Sequence, residues 1–481
     1  MKRVFLILTI ACSFCFAQQN RYPLIKGEID KGNFKKATSM IDSVLEGNKN
    51  LTAAEIADLE FQKEKMNRIR LDFKKNEADM LSYLKKYYPD ADHKTLEKFE
   101  KDRSLESMLI DGEKKYFNRA APNLFLINKE AIKQKEKVQG AETDALDKFL
   151  SNHIPEVVKN SAAQNSRVVN PVKMQITYTL SVKPNAVPDG EIIRCWLPYP
   201  REQHARQSDI KLLSVNSDEY TIADNNNPQR TLYLEKKAVK DEPTVFKMKL
   251  NYTCSSEWFD IDPSKVKQYD TKSDFYKTFT SERAPHIVFT DEIKELSKRI
   301  VGNETNPYLK ARLIFEWISN NIPWAGAREY STLDNIPAYC LQNKHGDCGI
   351  KTLLFMTLAR YNGIPAKWQS GWMMHPVEKN LHDWGEAYFE GYGWVPVDQS
   401  FGIQNYSSDP KVKYYFTNGI DSYRLIVNDD FSQPLYPAKI YPRSETVDFQ
   451  RGEVEWRCGN LYFDKWDYDM DIKYLSEVVE K

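Results

Sequence analysis

One cysteine of this 481-residue sequence stands at the predicted start of an apolar helix, in the stretch NKHGDCGIKTLLFMTLARYNGIPAK. Asp347 is a suitable N-cap for that helix and Gly363 would end it, so Cys348 occupies the first helical position. Unpaired backbone N–H groups and the positive end of the helix dipole favour thiolate over thiol there. The sequence therefore predicts that Cys348 is a nucleophile; core packing and half of a disulfide are the alternatives.

A cysteine nucleophile requires a base, and one histidine lies in a suitable pattern. The stretch HDWGEAYFEGYGWVPVDQSFG, from His382 to Gly402, has the alternation of two strands that turn around Glu390 to Gly393. That hairpin would place His382 opposite Asp398, whose carboxylate can hold one imidazole nitrogen while the other faces the thiol. A core histidine and a strand-end cap are the alternative interpretations. The other histidines fall in predicted surface or loop positions or, for His345, too near the cysteine along the chain.

The elements around these residues indicate an α+β chain of several domains, because 481 residues exceed what one compact core usually takes. Helical periodicity predicts an α-helical domain over residues 18–160. Alternating β-branched and aromatic residues predict an antiparallel β-sandwich over 170–260. Residues 270–402, with helices before the cysteine and strands after it, form the predicted catalytic core. Residues 403–481 form a predicted β-rich extension that packs on that core.

The amino terminus has the pattern of a signal peptide over residues 1–17, with a basic start, an apolar run and a cleavage site after Ala17. The apolar run is shorter than the ~20 residues that a spanning helix requires, and no later stretch is long and apolar enough to span. A lipid anchor on Cys12 is a weaker alternative, because the preceding residues depart from a lipobox. We therefore predict an exported, periplasmic or extracellular protein without a membrane span.

Charge and cysteine content limit the classes of partner and ligand. Lys+Arg and Asp+Glu are equal at 68 each, so no basic excess indicates nucleic-acid binding. Loss of the signal peptide would leave an odd number of cysteines: Cys195, Cys254, Cys340, Cys348 and Cys458. Pairs of Cys195 with Cys254 and of Cys340 with Cys458 are conceivable, and free buried thiols are the alternative. No second Cys/His pair completes a metal site, so we predict neither metal nor cofactor.

Several spaced motifs occur in one order along the chain: the cysteine at a helix start, GIPAK after that helix, H-x-W-x-E on a strand and GWVPVD on the next. This arrangement closely resembles the transglutaminase-like superfamily, over roughly residues 275–402. The resemblance implies a papain-like α+β core in which Cys348 is the nucleophile, His382 the general base and acid, and Asp398 the carboxylate that orients the histidine. A β-sandwich before the core is also similar to bacterial members of the superfamily.

The oxyanion of the reaction would need two hydrogen-bond donors. The Cys348 backbone N–H is the natural first donor at a helix start. The resemblance implies Trp324, in NIPWAG, as the second, because an upstream tryptophan supplies an indole N–H in the family; Gln342 and Asn343 are competitors. The chain departs from eukaryotic crosslinking members, since Gly349 replaces the tryptophan that follows their nucleophile and no calcium loop is evident. Calcium-dependent crosslinking is therefore not the expected reaction.

The residues and the resemblance together predict an exported cysteine peptidase or amidase. The thiolate would attack an amide carbonyl, His382 would protonate the leaving amine, and water would release the thioester. The expected substrate is a peptide, a protein or the peptide part of the cell wall, and the helical domain could bind a protein partner. One alternative is transfer of the thioester to an amine, as in a protein crosslinker. Another is a non-catalytic binding or scaffold protein with a relic core.

Overall fold

The computed structural model of the chain describes residues 22–140 and 144–475. The predicted signal peptide lies outside the described residues. No helix within the described ranges is long and apolar enough to cross a bilayer. The described chain combines helices with several antiparallel sheets, which confirms the predicted α+β multidomain class.

The first part of the chain is mainly helical and has a hydrophobic core of its own, in which Ile41, Leu59 and Leu96 are buried. Its longest helix begins with a capping box, because Thr52 accepts from the Glu55 N–H and the Glu55 carboxylate accepts from the Thr52 N–H. The elements are α1 (Pro23–Asp30), α2 (Phe34–Gly47), α3 (Ala53–Asp72), α4 (Glu77–Leu84), α5 (His93–Lys101), β1 (Ser107–Ile110), β2 (Glu113–Tyr116), α6 (Ala120–Ile127) and α7 (Lys129–Gln139).

The next helix, α8 (Ala145–Gln164), belongs by packing to a different part of the molecule. Its apolar residues Leu150, Ile154 and Val157 lie in the hydrophobic core that surrounds the cysteine helix, not in the core of the first helices. The helical domain that the sequence assigns to residues 18–160 is therefore divided near residue 140. Helical periodicity shows that α8 is a helix, but not which neighbour its apolar side covers.

The central part of the chain supplies most of a β-sandwich. Its strands are β3 (Val168–Val182), β4 (Ile192–Pro198), β5 (Gln207–Val215), β6 (Thr221–Ile222), β7 (Thr231–Lys237) and β8 (Thr244–Trp258). Strands β3 and β8 pair along almost their whole length in one sheet, and β4 pairs with β7 in the other. Side chains of both sheets, such as Ile176 from β3 and Leu234 from β7, share one buried core.

The predicted catalytic core packs a buried helix against an antiparallel sheet. Its elements are α9 (Asp274–Thr280), α10 (Asp291–Val301), α11 (Pro307–Asn321), α12 (Ile336–Asn343), α13 (Cys348–Tyr361), β9 (Ala366–His375), β10 (Glu378–Phe389) and β11 (Gly393–Val397). Residues 349–360 of α13 are all buried, and the helix contacts both β10 and β9. A helix enclosed in this way holds its first residue in a fixed position relative to the sheet.

The C-terminal elements are distributed over both sheet systems: α14 (Pro410–Lys413), α15 (Tyr415–Asn418), β12 (Gly419–Ile420), β13 (Arg424–Asn428), β14 (Glu453–Trp456), β15 (Gly459–Asn460) and β16 (Trp466–Tyr474). The core sheet has the order β11-β10-β9-β13. The sandwich sheets have the orders β12-β8-β3-β16, with β5 on β8, and β15-β14-β4-β7-β6. The segment predicted to extend the core is therefore divided: β13 joins the core sheet and Tyr415 and Phe416 lie in the core's hydrophobic cluster, whereas β14, β15 and β16 join the sandwich sheets.

Strand β16 shows the physical reason for this difference. It pairs with β3 from Trp466 opposite Val182 to Tyr474 opposite Met174. Its alternating residues Trp466 and Met470 enter the sandwich core. The pairing therefore satisfies one side of β3 and buries apolar side chains at the same time.

The helical domain contacts the segment that leads into the cysteine helix. Asn123 exchanges two hydrogen bonds with Gly326, donating to its carbonyl at 2.7 Å and accepting from its N–H at 3.1 Å. The Tyr339 hydroxyl donates to Glu106, and Arg103 donates to the Gln342 carbonyl. The first helices thus help to fix the residues between α11 and α13.

Candidate active site

Cys348 begins helix α13, as the sequence predicts. The Asp347 carboxylate accepts a hydrogen bond from the Ile350 N–H at 3.1 Å and caps the helix. Cys348 is half-buried, whereas residues 349–360 of the same helix are buried. Cys348 therefore begins a helix whose residues 349–360 are enclosed by the core.

The structure brings His382 and Asp398 together. Strands β10 and β11 form a hairpin in which Phe389 pairs with Gly393 and Gly385 with Val397. Continued by one residue, this register sets Asp398, which directly follows β11, opposite Trp384, so the predicted pairing of His382 with Asp398 is shifted by two residues along β10, to a position on the same face of the strand. His382 Nε2 is 2.7 Å from Asp398 Oδ2, and both side chains are buried. Phe401 meets the imidazole edge-on. Because Nε2 faces the carboxylate, Nδ1 is the nitrogen left for a thiol or a substrate.

Asp398 also faces an arginine that sequence reasoning missed. Arg424 Nη2 on β13 is 3.3 Å from Asp398 Oδ2, and its Nη2 and Nε atoms are 2.8 and 3.0 Å from Asp421 Oδ2. These three side chains are fully buried. Burial opposes ionisation of Asp398, but His382 and Arg424 outweigh it and hold the pKa of Asp398 below its usual value. Arg424 thus helps His382 to hold Asp398 in its charged form.

The thiol contacts a residue that sequence reasoning also missed. Cys348 Sγ is 3.2 Å from Asp383 Oδ2, and within the described part of the chain no hydrogen bond joins Cys348 to His382. Burial raises the pKa of Cys348 well above its usual value, and the charges of Asp383 and Asp347 add to this effect. The direction is opposite to that expected from the helix dipole, because desolvation and two nearby carboxylates outweigh the dipole.

Burial also dominates the state of the histidine. It lowers the pKa of His382 below its usual value, although Asp398 acts in the opposite direction. The resting site therefore holds a neutral thiol and a neutral imidazole, not a thiolate and imidazolium pair.

A comparison with known families identifies this part of the chain. Residues 294–399 match the family model described as the transglutaminase-like superfamily. Residues 294–399 are a transglutaminase-like domain. The match contains Cys348, His382 and Asp398, and it confirms the family that the motifs predict.

Similar proteins match smaller parts of the chain. An uncharacterized protein of Haemophilus influenzae is 30% identical over 186 residues, which cover 33% of this chain and 46% of that protein. The uncharacterized protein YebA of Bacillus subtilis is 22% identical over 134 residues, or 24% of this chain and 18% of YebA. The chain thus spans less than half the length of these relatives.

The solved structures that match this chain include a candidate cysteine protease from Cytophaga hutchinsonii. Its TM-score is 0.43 at 14% identity, and the alignment covers 64% of this chain and 92% of that chain. The periplasmic domain of TgpA from Pseudomonas aeruginosa has a TM-score of 0.25 at 10% identity, with 51% of this chain and 91% of that chain covered. The family assignment therefore rests on the sequence match of the transglutaminase-like domain.

Trp324 lies beside the start of the cysteine helix of the transglutaminase-like domain. Its backbone forms an isolated parallel bridge with Gly346, and the Ala325 N–H donates to the Gly346 carbonyl at 3.2 Å. The residue is 39% exposed. The competing Asn343 side chain donates to the Tyr339 carbonyl within α12. Trp324 stays the predicted second oxyanion donor.

Two further residues of the site lie in segments without a regular sequence pattern. The Tyr330 hydroxyl donates to Asp347 at 2.7 Å and accepts from the Gly349 N–H at 3.1 Å. Gln450 Nε2 donates to Asp383 Oδ1 at 2.6 Å and to the His382 carbonyl at 2.8 Å. No local signal indicates Tyr330 or Gln450, whereas the position of Asp383 next to the predicted base was a signal that could have been used.

The remaining cysteines and acidic groups do not extend the site. The five cysteines in the described residues are free thiols, so neither conceivable pair is formed. Cys195, Cys254 and Cys340 are buried, and Cys458 is exposed. Over residues 22–140 and 144–475, no group of three or more His, Cys, Asp or Glu side chains is arranged to hold a metal ion.

Proposed function

We propose that this chain is an exported cysteine peptidase or amidase that acts through Cys348, His382 and Asp398. The buried contact of 2.7 Å between His382 and Asp398, on a hairpin packed against the helix that Cys348 begins, is the observation that carries the proposal. A carboxylate so placed fixes the orientation of an imidazole and stabilises its protonated form. The signal-peptide pattern over residues 1–17 supports export.

The neutral resting groups determine the first step of the proposed mechanism. The thiol leaves Asp383 and gives its proton to His382 as sulfur forms a bond to the amide carbon. The carbonyl electron pair moves to oxygen, which the Cys348 N–H and the Trp324 indole would stabilise. Collapse breaks the carbon–nitrogen bond, and the imidazolium gives its proton to the leaving amine. The product is a thioester on Cys348.

The acceptor of the acyl group decides the reaction class. Water, activated by His382, would release a carboxylic acid and restore the thiol, whereas an amine would form a new amide. We propose water as the main acceptor because an exported enzyme is surrounded by it. The proposed substrates are peptides, proteins or the peptide part of the cell wall, and the helical domain could bind a protein partner.

The test is incubation of the purified mature protein with casein, a mixed peptide library and cell-wall peptides, with and without a fluorescent primary amine. We expect new free carboxyl and amino ends in mass spectra, and the variant Cys348→Ala should produce none. Incorporation of the amine in preference to hydrolysis would assign the protein to the crosslinking class. Identical product spectra for wild type and Cys348→Ala would contradict the proposal.

A conservative change tests the second oxyanion donor. Trp324→Phe keeps an aromatic ring and removes the indole N–H, so we expect kcat to fall about 10²-fold with little change in KM, because such a donor acts mainly in the transition state. Initial rates on a cleaved peptide give both constants. Trp394→Phe is a matched control, since Trp394 packs among Phe275, Phe279 and Tyr388. Equal kcat values for Trp324→Phe and wild type would remove the indole from the mechanism.

A further inference from the structure

We propose that Asp383 is a proton-holding partner of the Cys348 thiol, which keeps the sulfur protonated in the resting site until a substrate separates the two groups. The inference rests on the proposed function, in which Cys348 is the nucleophile. It adds a fourth residue to Cys348, His382 and Asp398. This residue contacts the reacting sulfur atom.

The contacts of β10 place the side chains of His382 and Asp383 on different sides of the strand. Side chains of consecutive strand residues point to opposite sides. His382 accordingly lies with Asp398 and Phe401, whereas Asp383 lies with Cys348 and Tyr330. In the resting structure the thiol is on the side of Asp383, 3.2 Å from its Oδ2 atom. The proposed transfer of the thiol proton to His382 therefore requires the sulfur to leave its contact with Asp383.

The hydrogen bonds around Asp383 favour the thiol as a donor. Asp383 is 1% exposed, and its Oδ1 atom accepts from Gln450 at 2.6 Å. Its Oδ2 atom lies 3.4 Å from the Tyr330 hydroxyl, but that hydroxyl is closer to Asp347, at 2.7 Å. Because a hydroxyl has one proton to donate, the thiol proton is the donor that remains for Oδ2. A buried carboxylate without a full set of donors is costly, so this contact stabilises the closed pair.

The charges near Asp383 and Cys348 also favour the retention of a proton by these two groups. The titratable groups that face Asp383 are Asp347, Cys348, Glu445, Tyr330 and Asp448. Arg451 lies beyond them, paired with Glu329. Burial raises the pKa of Asp383 well above its usual value, and Asp347 raises it further. Two acids in such a place release their second proton with difficulty, so the pair keeps at least one proton at neutral pH.

The variant Asp383→Asn tests this role without removing the hydrogen-bond partners. The amide oxygen can still accept from Gln450, and the amide N–H can donate to the sulfur. We expect the pKa of Cys348, measured from the pH dependence of iodoacetamide alkylation and peptide mass spectrometry, to fall by about one pH unit or more. Alkylation of Cys348 at pH 7 should become about tenfold faster or more.

Glu386→Gln is the matched control, because it removes another buried carboxylate from β10, one that lies 2.9 Å from Lys367. It should leave the pKa of Cys348 unchanged. An unchanged or higher pKa in Asp383→Asn would overturn the proposal, as would equal decreases in both variants. Near-UV circular dichroism checks the fold. Asp383→Ser, whose hydroxyl can also accept from Gln450, gives the same test if the amide variant does not fold.

Alkylation does not require turnover, so the two proposals fail separately. A lower pKa of Cys348 in Asp383→Asn, in a protein that cleaves no amide, would support the role of Asp383 and contradict the peptidase proposal. If the protein cleaves amides but Cys348 has the same pKa in wild type and Asp383→Asn, the peptidase proposal is supported and the role of Asp383 is contradicted.

Discussion

Replacing His382 with alanine is expected to lower kcat for a cleaved peptide by about 10²- to 10⁴-fold, the range that general acid–base catalysis contributes. The reason is that the resting thiol is neutral, with a pKa well above its usual value. A neutral thiol is a weak nucleophile, so the attack needs a base that removes the proton as the bond to carbon forms. Steady-state kinetics of wild type and His382→Ala give the ratio.

The pH dependence of wild-type activity provides a second readout of the same group. Burial lowers the pKa of His382, so the imidazole is neutral and able to accept a proton at pH 7. Activity should decrease as the pH falls, because a protonated imidazole cannot take the thiol proton. The midpoint of this acid limb should lie below about 6.5, the usual pKa of histidine. The limb should be absent from the residual activity of His382→Ala.

The control for His382→Ala is another buried histidine of the core. His286 is buried beside Phe431, and burial lowers its pKa to about 4. His286→Ala removes an imidazole from the interior without touching the proposed base. Similar losses of kcat in both variants would indicate damage to the fold and would contradict a proton-transfer role for His382.

Arg424→Met is expected to decrease the free energy of unfolding by about 3–5 kcal/mol, the usual effect of removing one partner of a buried ion pair. The change leaves Asp398 and Asp421 as buried carboxylates without their shared cation. Urea unfolding followed by tryptophan fluorescence gives the difference. Arg457→Met should change stability by less than about 1 kcal/mol, because Arg457 pairs with Glu191 at the surface.

The loss in Arg424→Met should depend on pH in a defined direction. In wild type the arginine contributes to holding the pKa values of Asp398 and Asp421 below their usual range, so their ionisation stabilises the fold above about pH 4. In the variant both pKa values rise, and the native state is then favoured by binding a proton. The difference between wild type and variant should therefore be largest at pH 7 and shrink toward pH 4. A loss that stays constant between these values would show that the arginine acts through packing alone.

Local sequence patterns predict the elements that hold the proposed residues. Asp347 and Gly363 define the helix that starts at Cys348, and the alternation from His382 to Asp398 defines the hairpin and the face that these two side chains share, but not the exact pairing of its strands. Each pattern lies within one continuous stretch, where the spacing of residues determines their geometry. The β1–β2 hairpin also had a local signal, because Asp111 and Gly112 both adopt positive φ at its turn, as an Asp-Gly pair often does.

Contacts between distant segments could not be predicted in the same way. Arg424, Tyr330 and Gln450 reach the site from three separate parts of the chain, and each is an ordinary residue within its own stretch. The protonation of Cys348 is a related case. The helix start alone favours thiolate, and only the packing of Asp383 and the burial of the thiol reverse that preference.

The pairing of β3 with β16 also sets an order of events during synthesis of the chain. A hydrogen bond beside this pair, from Lys183 to the Asp464 carbonyl, joins residues 281 positions apart. The ribosome therefore makes the whole transglutaminase-like domain before the sandwich can receive its last strand. Until then β3 has an unpaired edge that can pair with other chains. Shortening the chain before β16 would make that exposed edge permanent, and aggregation of the truncated protein is the outcome to be expected.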